Sequence, residues 1–208
     1  MTLRPSDVRH LDFWALVLLG LLAGVGALAI LHVVNKLAFG DRVMFALDGE
    51  GNLPTWFSST LFVVAGIGSL ALALIDARSR SLWLLVGLLF VGFSLDDAIG
   101  IHESTEREEG SLSRLIVQPV IVIVLSLALG ALGRRRPRPE RGLLIAAAIV
   151  LVVALVASLL NAYFDPPYAV LVSIQMLEET TEMVVPALVI AAIVAAVARR
   201  LGPTLAHA

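Results

Sequence analysis

Six long apolar stretches dominate the 208-residue chain, and they restrict what it can fold into more than any other feature. A helix needs roughly 20 apolar residues to cross about 30 Å of hydrocarbon. The stretches cover residues 13–36, 55–75, 82–102, 113–133, 143–163 and 169–198. Because little chain remains outside them, the sequence predicts one all-α transmembrane domain over residues 1–208, a polytopic bundle of six transmembrane helices.

The amino-acid composition excludes the main alternatives to a membrane protein. Hydrophobic residues make up 59% of the chain and charged residues 15%, whereas soluble domains have about 45–50% and about 25%. A disordered chain would be far more polar. Cysteine is absent, which excludes disulfides, thiolate metal sites and cysteine nucleophiles.

The basic residues predict the orientation of the six spans. One side of the membrane receives eleven of the 15 Lys and Arg residues, namely Arg4, Arg9, Arg78, Arg80, Arg134, Arg135, Arg136, Arg138, Arg141, Arg199 and Arg200. The other side receives Lys36, Arg42, Arg107 and Arg114. Since positive loops stay in the cytoplasm, we expect both termini there, in a multi-pass protein of a bacterial-type inner (plasma) membrane.

The same orientation accounts for the basic run RRRPRPER at residues 134–141. We interpret it as a cytoplasmic loop whose partner is the lipid bilayer with its anionic headgroups, and no nucleic acid need be invoked. Trp83 is predicted to lie near the cytoplasmic interface and Trp56 near the outer one, as in the aromatic belts of membrane proteins.

Polar residues of all six spans fall in the outer third of the membrane when depth is counted at about 1.5 Å per residue. Asp96 and Asp97 lie roughly 21 Å from the cytoplasmic end of their span, and Glu182 lies roughly 24 Å from the end of its own. The other spans contribute His32, Asn35, Ser58, Ser59, Gln118 and Asn161 to this layer. Ionisable groups inside a span cost at least about 2.5–3.5 kcal/mol, so the alignment predicts a shared, outward-facing acidic cavity.

Helical spacing predicts which side chains face this cavity. Gln175, Glu178, Glu179 and Glu182 form one stripe, because residues three, four and seven apart share a face. Pro186 has no amide hydrogen, which leaves the Glu182 carbonyl without its helical donor.

Oxygen ligands of this kind suit hard divalent cations, and a histidine favours transition metals. The predicted metal ligands are Asp96, Asp97, His102, Glu103, Glu178, Glu179 and Glu182, and the predicted lining residues are His32, Asn35, Gln118, Asn161 and Gln175. The candidate cofactor is therefore a divalent metal cation of unassigned identity. Shared protons, or a salt-bridge network with Lys36 and Arg114, would also neutralise these acids.

Two segments resemble a known pattern. SLDDAIGIHE (94–103) and LEETTEM (177–183) resemble a group of uncharacterised bacterial multi-pass membrane proteins, which carry an acidic pair followed by HE on one span and EExxEM on the last. The resemblance implies a bacterial membrane location and no particular activity.

Three functions remain open at this point. The first is a cation-binding membrane protein, such as a transporter of metal ions or protons. The second is a membrane-embedded, metal-dependent enzyme that acts on a lipid or quinone through the same acids. The third is a non-catalytic subunit of a larger membrane complex, or a homo-oligomer, in which the acids pair with basic residues of a partner. The sequence does not decide whether the chain is an enzyme.

Overall fold

A computed structural model of the protein describes residues 12–38, 43–47, 51–99, 116–163 and 168–205. Within these ranges the regular structure is helical throughout, with six long helices and two short 3-10 turns, Val43–Phe45 and Ala77–Ser79. The all-α prediction is therefore confirmed for the part of the chain that the structure describes.

The six helices each contain most of one predicted stretch. They are α1 (Phe13–Ala38), α2 (Leu53–Ile75), α3 (Arg80–Ile99), α4 (Gln118–Arg134), α5 (Glu140–Tyr163) and α6 (Tyr168–Leu205). Local signals place some of their ends. Both α2 and α4 have a proline in the first turn, where its missing N–H removes no helical hydrogen bond.

Five of the helices, α1, α2, α3, α5 and α6, are long and apolar enough to cross a membrane, as expected of a multi-pass membrane protein. The remaining helix, α4, is apolar but has only 17 residues. Seventeen residues extend about 25 Å, less than the roughly 30 Å of a hydrocarbon core. Residues 113–115 of the predicted stretch lie outside the described residues, and the sixth span stays a prediction.

Helices α2 and α3 form an antiparallel pair whose backbones approach closely at two glycines. A Cβ atom added to Gly87 would lie 3.0 Å from the carbonyl oxygen of Gly66, and one added to Gly66 would lie 3.2 Å from that of Gly87. Seven residues further toward one end of the pair, Ser59 meets Ser94. Small residues at these positions allow the two backbones to come together, as is common between membrane helices.

The pair α2–α3 belongs to a larger bundle. Helix α2 packs against α3 on one side and α6 on the other, α4 packs against α3 and α5, and α5 packs against α6. Helix α1 packs mainly against α6. The core is apolar, with Trp83, Phe90, Leu129, Leu144 and Ala191 fully buried. Many leucine, isoleucine and valine side chains on the outer faces are exposed, which fits a lipid environment.

The GxxxG spacing of Gly20 and Gly24 on α1 predicts a close contact with another helix. Gly24 does meet a neighbour, because a Cβ atom there would lie 2.9 Å from the ring of Phe57 on α2. Gly20 has no atom within 4 Å of the same position. Gly24 therefore makes room for the ring of Phe57, and the GxxxG spacing does not mark a helix crossing that involves both glycines.

Candidate functional site

Polar side chains concentrate at two opposite ends of the bundle. The arginine-rich end comprises residues 76–80, 134–141 and 199–200, and the acidic end comprises residues 52–59, 94–97 and 178–182. Along α2, Ile75 lies 17 residues after Ser58, and along α6, Arg200 lies 18 residues after Glu182. At about 1.5 Å per residue these intervals are about 25 Å and about 27 Å, so the two helices place their polar residues at similar heights.

At the acidic end a hydroxyl network joins α2 to α3. Ser59 Oγ donates to the carbonyl oxygen of Ser94 at 3.0 Å, and Ser94 Oγ donates to that of Ser59 at 2.9 Å. Ser58 Oγ donates to Asp97 Oδ2. We call Ser58, Ser59, Ser94 and Asp97 the serine layer. It orients the carboxylate of Asp97 toward α2 and keeps the ends of the two helices in register.

The described acids among the predicted metal ligands lie at this end and are half-buried. They are Asp96, Asp97, Glu178, Glu179 and Glu182, on two helices that both pack against α2. Within the described ranges, no three Asp, Glu or His side chains form a group that could hold a metal ion. The other two predicted ligands, His102 and Glu103, lie outside the described residues, so the predicted metal site stays a prediction.

The predicted lining residues occupy different environments. His32 and Asn35 are buried on α1, whereas Gln118 at the start of α4 is exposed. Asn161 lies on α5 and Gln175 on α6, and their side chains lie outside the described part of the structure. The prediction that these five line one cavity is not tested by the described contacts.

His32 of α1 binds the backbone of the connection between α1 and α2. Its Nδ1 accepts a hydrogen bond of 2.8 Å from the backbone N–H of Leu47. A nitrogen that accepts carries no proton, so the neutral ring has its proton on Nε2. His32 thus positions the connecting segment, and its Nδ1 is occupied by the chain itself.

Asn52 anchors the other end of this connection, a role that the sequence analysis missed. Its Oδ1 accepts from the backbone N–H of Thr55 at 3.1 Å, which caps α2, and its Nδ2 donates to the carbonyl oxygen of Ala46 at 2.7 Å. An Asn three residues before a polar first-turn residue is a recognisable N-cap signal. His32 and Asn52 thereby hold the short segment of Ala46 and Leu47 next to the start of α2.

The arginine-rich end contains a buried ion pair. Asp76, the residue that follows α2, binds Arg136 of the α4–α5 loop and accepts from Trp83 Nε1 at 3.2 Å. The guanidinium of Arg136 also lies over the Trp83 ring, 5.3 Å from its centroid, which is a favourable cation–π distance. Arg200 of α6 approaches the same carboxylate at 3.9 Å.

A second ion pair lies beside the first. Glu140 begins α5, and its carboxylate accepts from Arg199 at 2.7 Å and 3.3 Å. Arg200 also donates to the carbonyl oxygen of Ile75 at 3.1 Å. Together Asp76, Trp83, Arg136, Glu140, Arg199 and Arg200 form what we call the ionic cluster. It connects α2, α3, α5, α6 and the α4–α5 loop at one point.

Arg136 is the central cation of this cluster. Its side chain is only 7% exposed. Burial lowers the pKa of Arg136, Glu140 raises that pKa, and Arg199 and Arg200 lower it again. An arginine remains charged in spite of such shifts, so Asp76 is needed to balance the charge, and the nearby arginines indicate an excess of positive charge around it.

The sequence analysis did not predict the ionic cluster. A cytoplasmic loop at 134–141 and a tryptophan near the cytoplasmic interface are what the sequence predicts, and the structure adds that Trp83 is fully buried beneath Arg136. Trp56, by contrast, is exposed, and its position at the outer interface stays a prediction. A usable signal was present, because Glu140 is a single acid within an arginine run and Asp76 lies two and four residues before Arg78 and Arg80.

Comparison with known proteins supplies a family and no activity. The profile of a protein family described as Domain of unknown function (DUF8692) matches residues 13–197, which include nearly all of the six helices. No curated protein and no solved structure matches the chain.

Proposed function

The chain belongs to the DUF8692 family, and from that premise we propose that it is a six-span protein of a bacterial-type inner membrane with a cation-binding acidic end that opens outward. Both termini then face the cytoplasm. The cation is a divalent metal ion or a proton. This is the cation-binding alternative among the three functions that the sequence leaves open.

The distribution of charge supports the orientation. Nine described arginines belong to the arginine-rich end, against three described carboxylates on that side of the bundle, Asp12, Asp76 and Glu140. Basic segments are retained on the cytoplasmic side of a membrane. Since α1 begins and α6 finishes at this end, the proposal places both termini in the cytoplasm and the acidic end outside.

One observation carries the proposed function: five half-buried carboxylates lie at the acidic end, on two helices that share α2 as a neighbour. An ionised carboxylate in a medium of low dielectric constant is unfavourable unless a positive charge or a hydrogen-bond donor stabilises it. A bound cation or shared protons supply that charge. Acids inside spans are costly and generally mark ion pathways.

Two details of the helices favour a cation at this position. Ser58 holds the Asp97 carboxylate on the side of α3 that faces α2. On α6 the buried Pro186 has no N–H to donate to the carbonyl of Glu182, four residues earlier. A carbonyl oxygen next to a carboxylate is a typical pair of ligands for a hard cation.

The test measures cation binding to the purified full-length protein in lipid nanodiscs. Titration with Mn²⁺, followed by calorimetry and elemental analysis, compares the wild type with Asp97→Asn and Glu182→Gln. We expect each variant to bind Mn²⁺ about 10-fold or more weakly, as is typical when a metal site loses a ligand or its support. Asp12→Asn is the matched control, because Asp12 is an exposed carboxylate at the start of α1, and it should bind like the wild type.

A second titration separates the metal from the proton. If the wild type binds no Mn²⁺ but releases a proton between neutral and alkaline pH that Asp97→Asn and Glu182→Gln do not release, the cation is a proton. If the wild type shows neither behaviour, or if Asp12→Asn weakens it as much as the other two variants, the proposed function is wrong.

A further inference from the structure

The segment from Arg134 to Arg141, at the junction of α4 and α5, contains five arginines with two different roles. Arg136 points inward and is buried in the ionic cluster. The other four, which we call the outward arginines, are exposed: Arg134, Arg135, Arg138 and Arg141. Their arrangement, rather than their number alone, indicates a binding site.

The loop that carries the outward arginines has a defined shape. Its backbone turns at the end of α4, where Arg135 N–H donates to the Leu132 carbonyl oxygen and Arg136 N–H to that of Gly133, both at 3.0 Å. Arg136 is fixed by Asp76, and Glu140 is fixed by Arg199. The outward arginines are therefore presented from a prearranged loop, which reduces the entropy lost when a ligand binds.

Positive charge at this loop is not neutralised within the described structure. Asp76 and Glu140, the two carboxylates of the arginine-rich end, already pair with arginines of the ionic cluster. The outward arginines make no ion pair or side-chain hydrogen bond with the described residues. Beneath them, Nε of the buried Arg136 also has no hydrogen-bond partner among the described residues. The exposed guanidinium groups can therefore donate several N–H bonds to an anion.

The surroundings of the loop indicate what kind of anion fits. The loop joins the ends of two apolar helices, so it lies where lipid headgroups begin. Directly along these helices, Leu127 of α4 and Ile149 of α5 are strongly exposed, which provides a surface for acyl chains. Arginine forks bind phosphate oxygens with two parallel hydrogen bonds.

We propose that the outward arginines form a site for the phosphate of an anionic phospholipid, with the lipid's chains lying against the exposed faces of α4 and α5. Basic pockets between membrane helices are known to hold such headgroups. The site is separate from the acidic end, about 25 Å away along the helices, and it does not depend on the cation proposed there.

The test is a native mass spectrometry titration of the full-length protein in detergent, with phosphatidylglycerol, phosphatidylcholine and inorganic phosphate as three separate ligands. The wild type should retain phosphatidylglycerol in preference to the other two. Each headgroup contact of a basic residue contributes about 1 kcal/mol. The double variant Arg135→Gln/Arg138→Gln should therefore bind phosphatidylglycerol about 30-fold more weakly, and each single variant about fivefold more weakly.

Arg78→Gln is the matched control for the single variants, because Arg78 is exposed in the α2–α3 turn and its loss changes the net charge as much as either single substitution does. It should weaken binding by less than about twofold. An equal loss in the control would show diffuse attraction to a basic surface and would overturn the proposal. Equal binding of phosphatidylcholine, or of inorganic phosphate alone, would also overturn it, since the site would then not recognise an anionic lipid.

Discussion

The two ends of α2 are joined to the rest of the bundle by different chemistry. At the arginine-rich end, Asp76 binds a residue 60 positions away, and Arg200 reaches a carbonyl oxygen 125 positions away. At the acidic end, the neutral hydroxyls of Ser58 and Ser59 reach only α3, 39 and 35 positions away. Charged, long-range bonds therefore close one end, and short-range hydroxyl bonds align a single helix pair at the other.

The carboxylates at the two ends of the bundle also differ in burial and in the groups that they contact. Asp76 and Glu140 are buried and paired with the chain's own arginines, so they fix the positions of α2 and α5. Asp97 and Glu182 are only half-buried, and Asp97 accepts from the neutral hydroxyl of Ser58. The comparison indicates that the ionic cluster stabilises the bundle, whereas the half-buried acids at the other end are the ones to which the cation-binding proposal refers.

The largest expected effect comes from removing the charge that balances Arg136. Asp76→Asn leaves this guanidinium buried without a counter-charge, and we expect the free energy of unfolding to fall by about 3–5 kcal/mol. Unfolding in mixed micelles with increasing SDS measures it. Asp12→Asn, which removes an exposed carboxylate near the same end, should change it by less than about 0.5 kcal/mol. Similar stabilities of the two variants would contradict a structural role for the ionic cluster.

A second prediction concerns the middle of the α2–α3 pair, between the two ends. Gly87→Ala places a Cβ atom 3.0 Å from the Gly66 carbonyl oxygen, a backbone atom that cannot turn away. We expect a loss of about 1–3 kcal/mol in the same assay. Gly92→Ala on the same helix has no atom within 4 Å of the new Cβ, so its stability should stay equal or rise slightly. A loss in both variants would indicate a general cost of alanine rather than a close contact.

The serine layer should contribute less than either of these contacts. Hydrogen bonds between membrane helices are worth about 0.6 kcal/mol on average, so Ser59→Ala and Ser94→Ala should each lower stability by about that amount. In the double variant the combined loss should fall slightly short of the sum, because the two hydroxyls also contact each other at 3.0 Å, whereas each bond to a backbone carbonyl is lost independently. Ser126→Ala removes a hydroxyl bonded only within its own helix, to the Val122 carbonyl oxygen, and should have no measurable effect. Fully additive losses would exclude coupling across the pair.

An effect of the opposite sign is expected at Ser69, in the core between the two ends. Its hydroxyl is fully buried and has no hydrogen-bond partner among the described residues. Because an unpaired buried hydroxyl is unfavourable, Ser69→Ala should raise the unfolding free energy by up to about 1 kcal/mol. A clear loss of stability would mean that this hydroxyl has a hydrogen-bond partner. The contrast between an apolar core and two polar ends would then be weaker.

Several features of the molecule were predictable from the chain alone because they depend on local periodicity. Apolar runs of about 20 residues between basic or proline-containing loops predict helices, and counting along them placed Ser58 and Asp97 at similar heights. The contact between these two side chains agrees with that count. The same arithmetic works because the rise of an α-helix per residue is constant.

The pairing of side chains across helices was not predictable in this way. Nothing local distinguishes Arg136, which is buried on Asp76 and Trp83, from Arg135, which is exposed. Similarly, the histidine of α1 was predicted to line a cavity, while the fold uses its Nδ1 to hold the backbone of Leu47. Such roles depend on which helices become neighbours, and the linear pattern of apolar residues leaves those neighbours undetermined.

The linear chain thus determined that this protein is helical and apolar, and it determined the separation of basic from acidic residues, because hydrophobic length and charge are additive along the sequence. Only the tertiary structure decided that Asp76 and Glu140 form ion pairs with the chain's own arginines, while four other arginines remain exposed. The reason is physical: an ion pair depends on the distance between two groups in space, and residues 60 positions apart acquire that distance only when the helices pack.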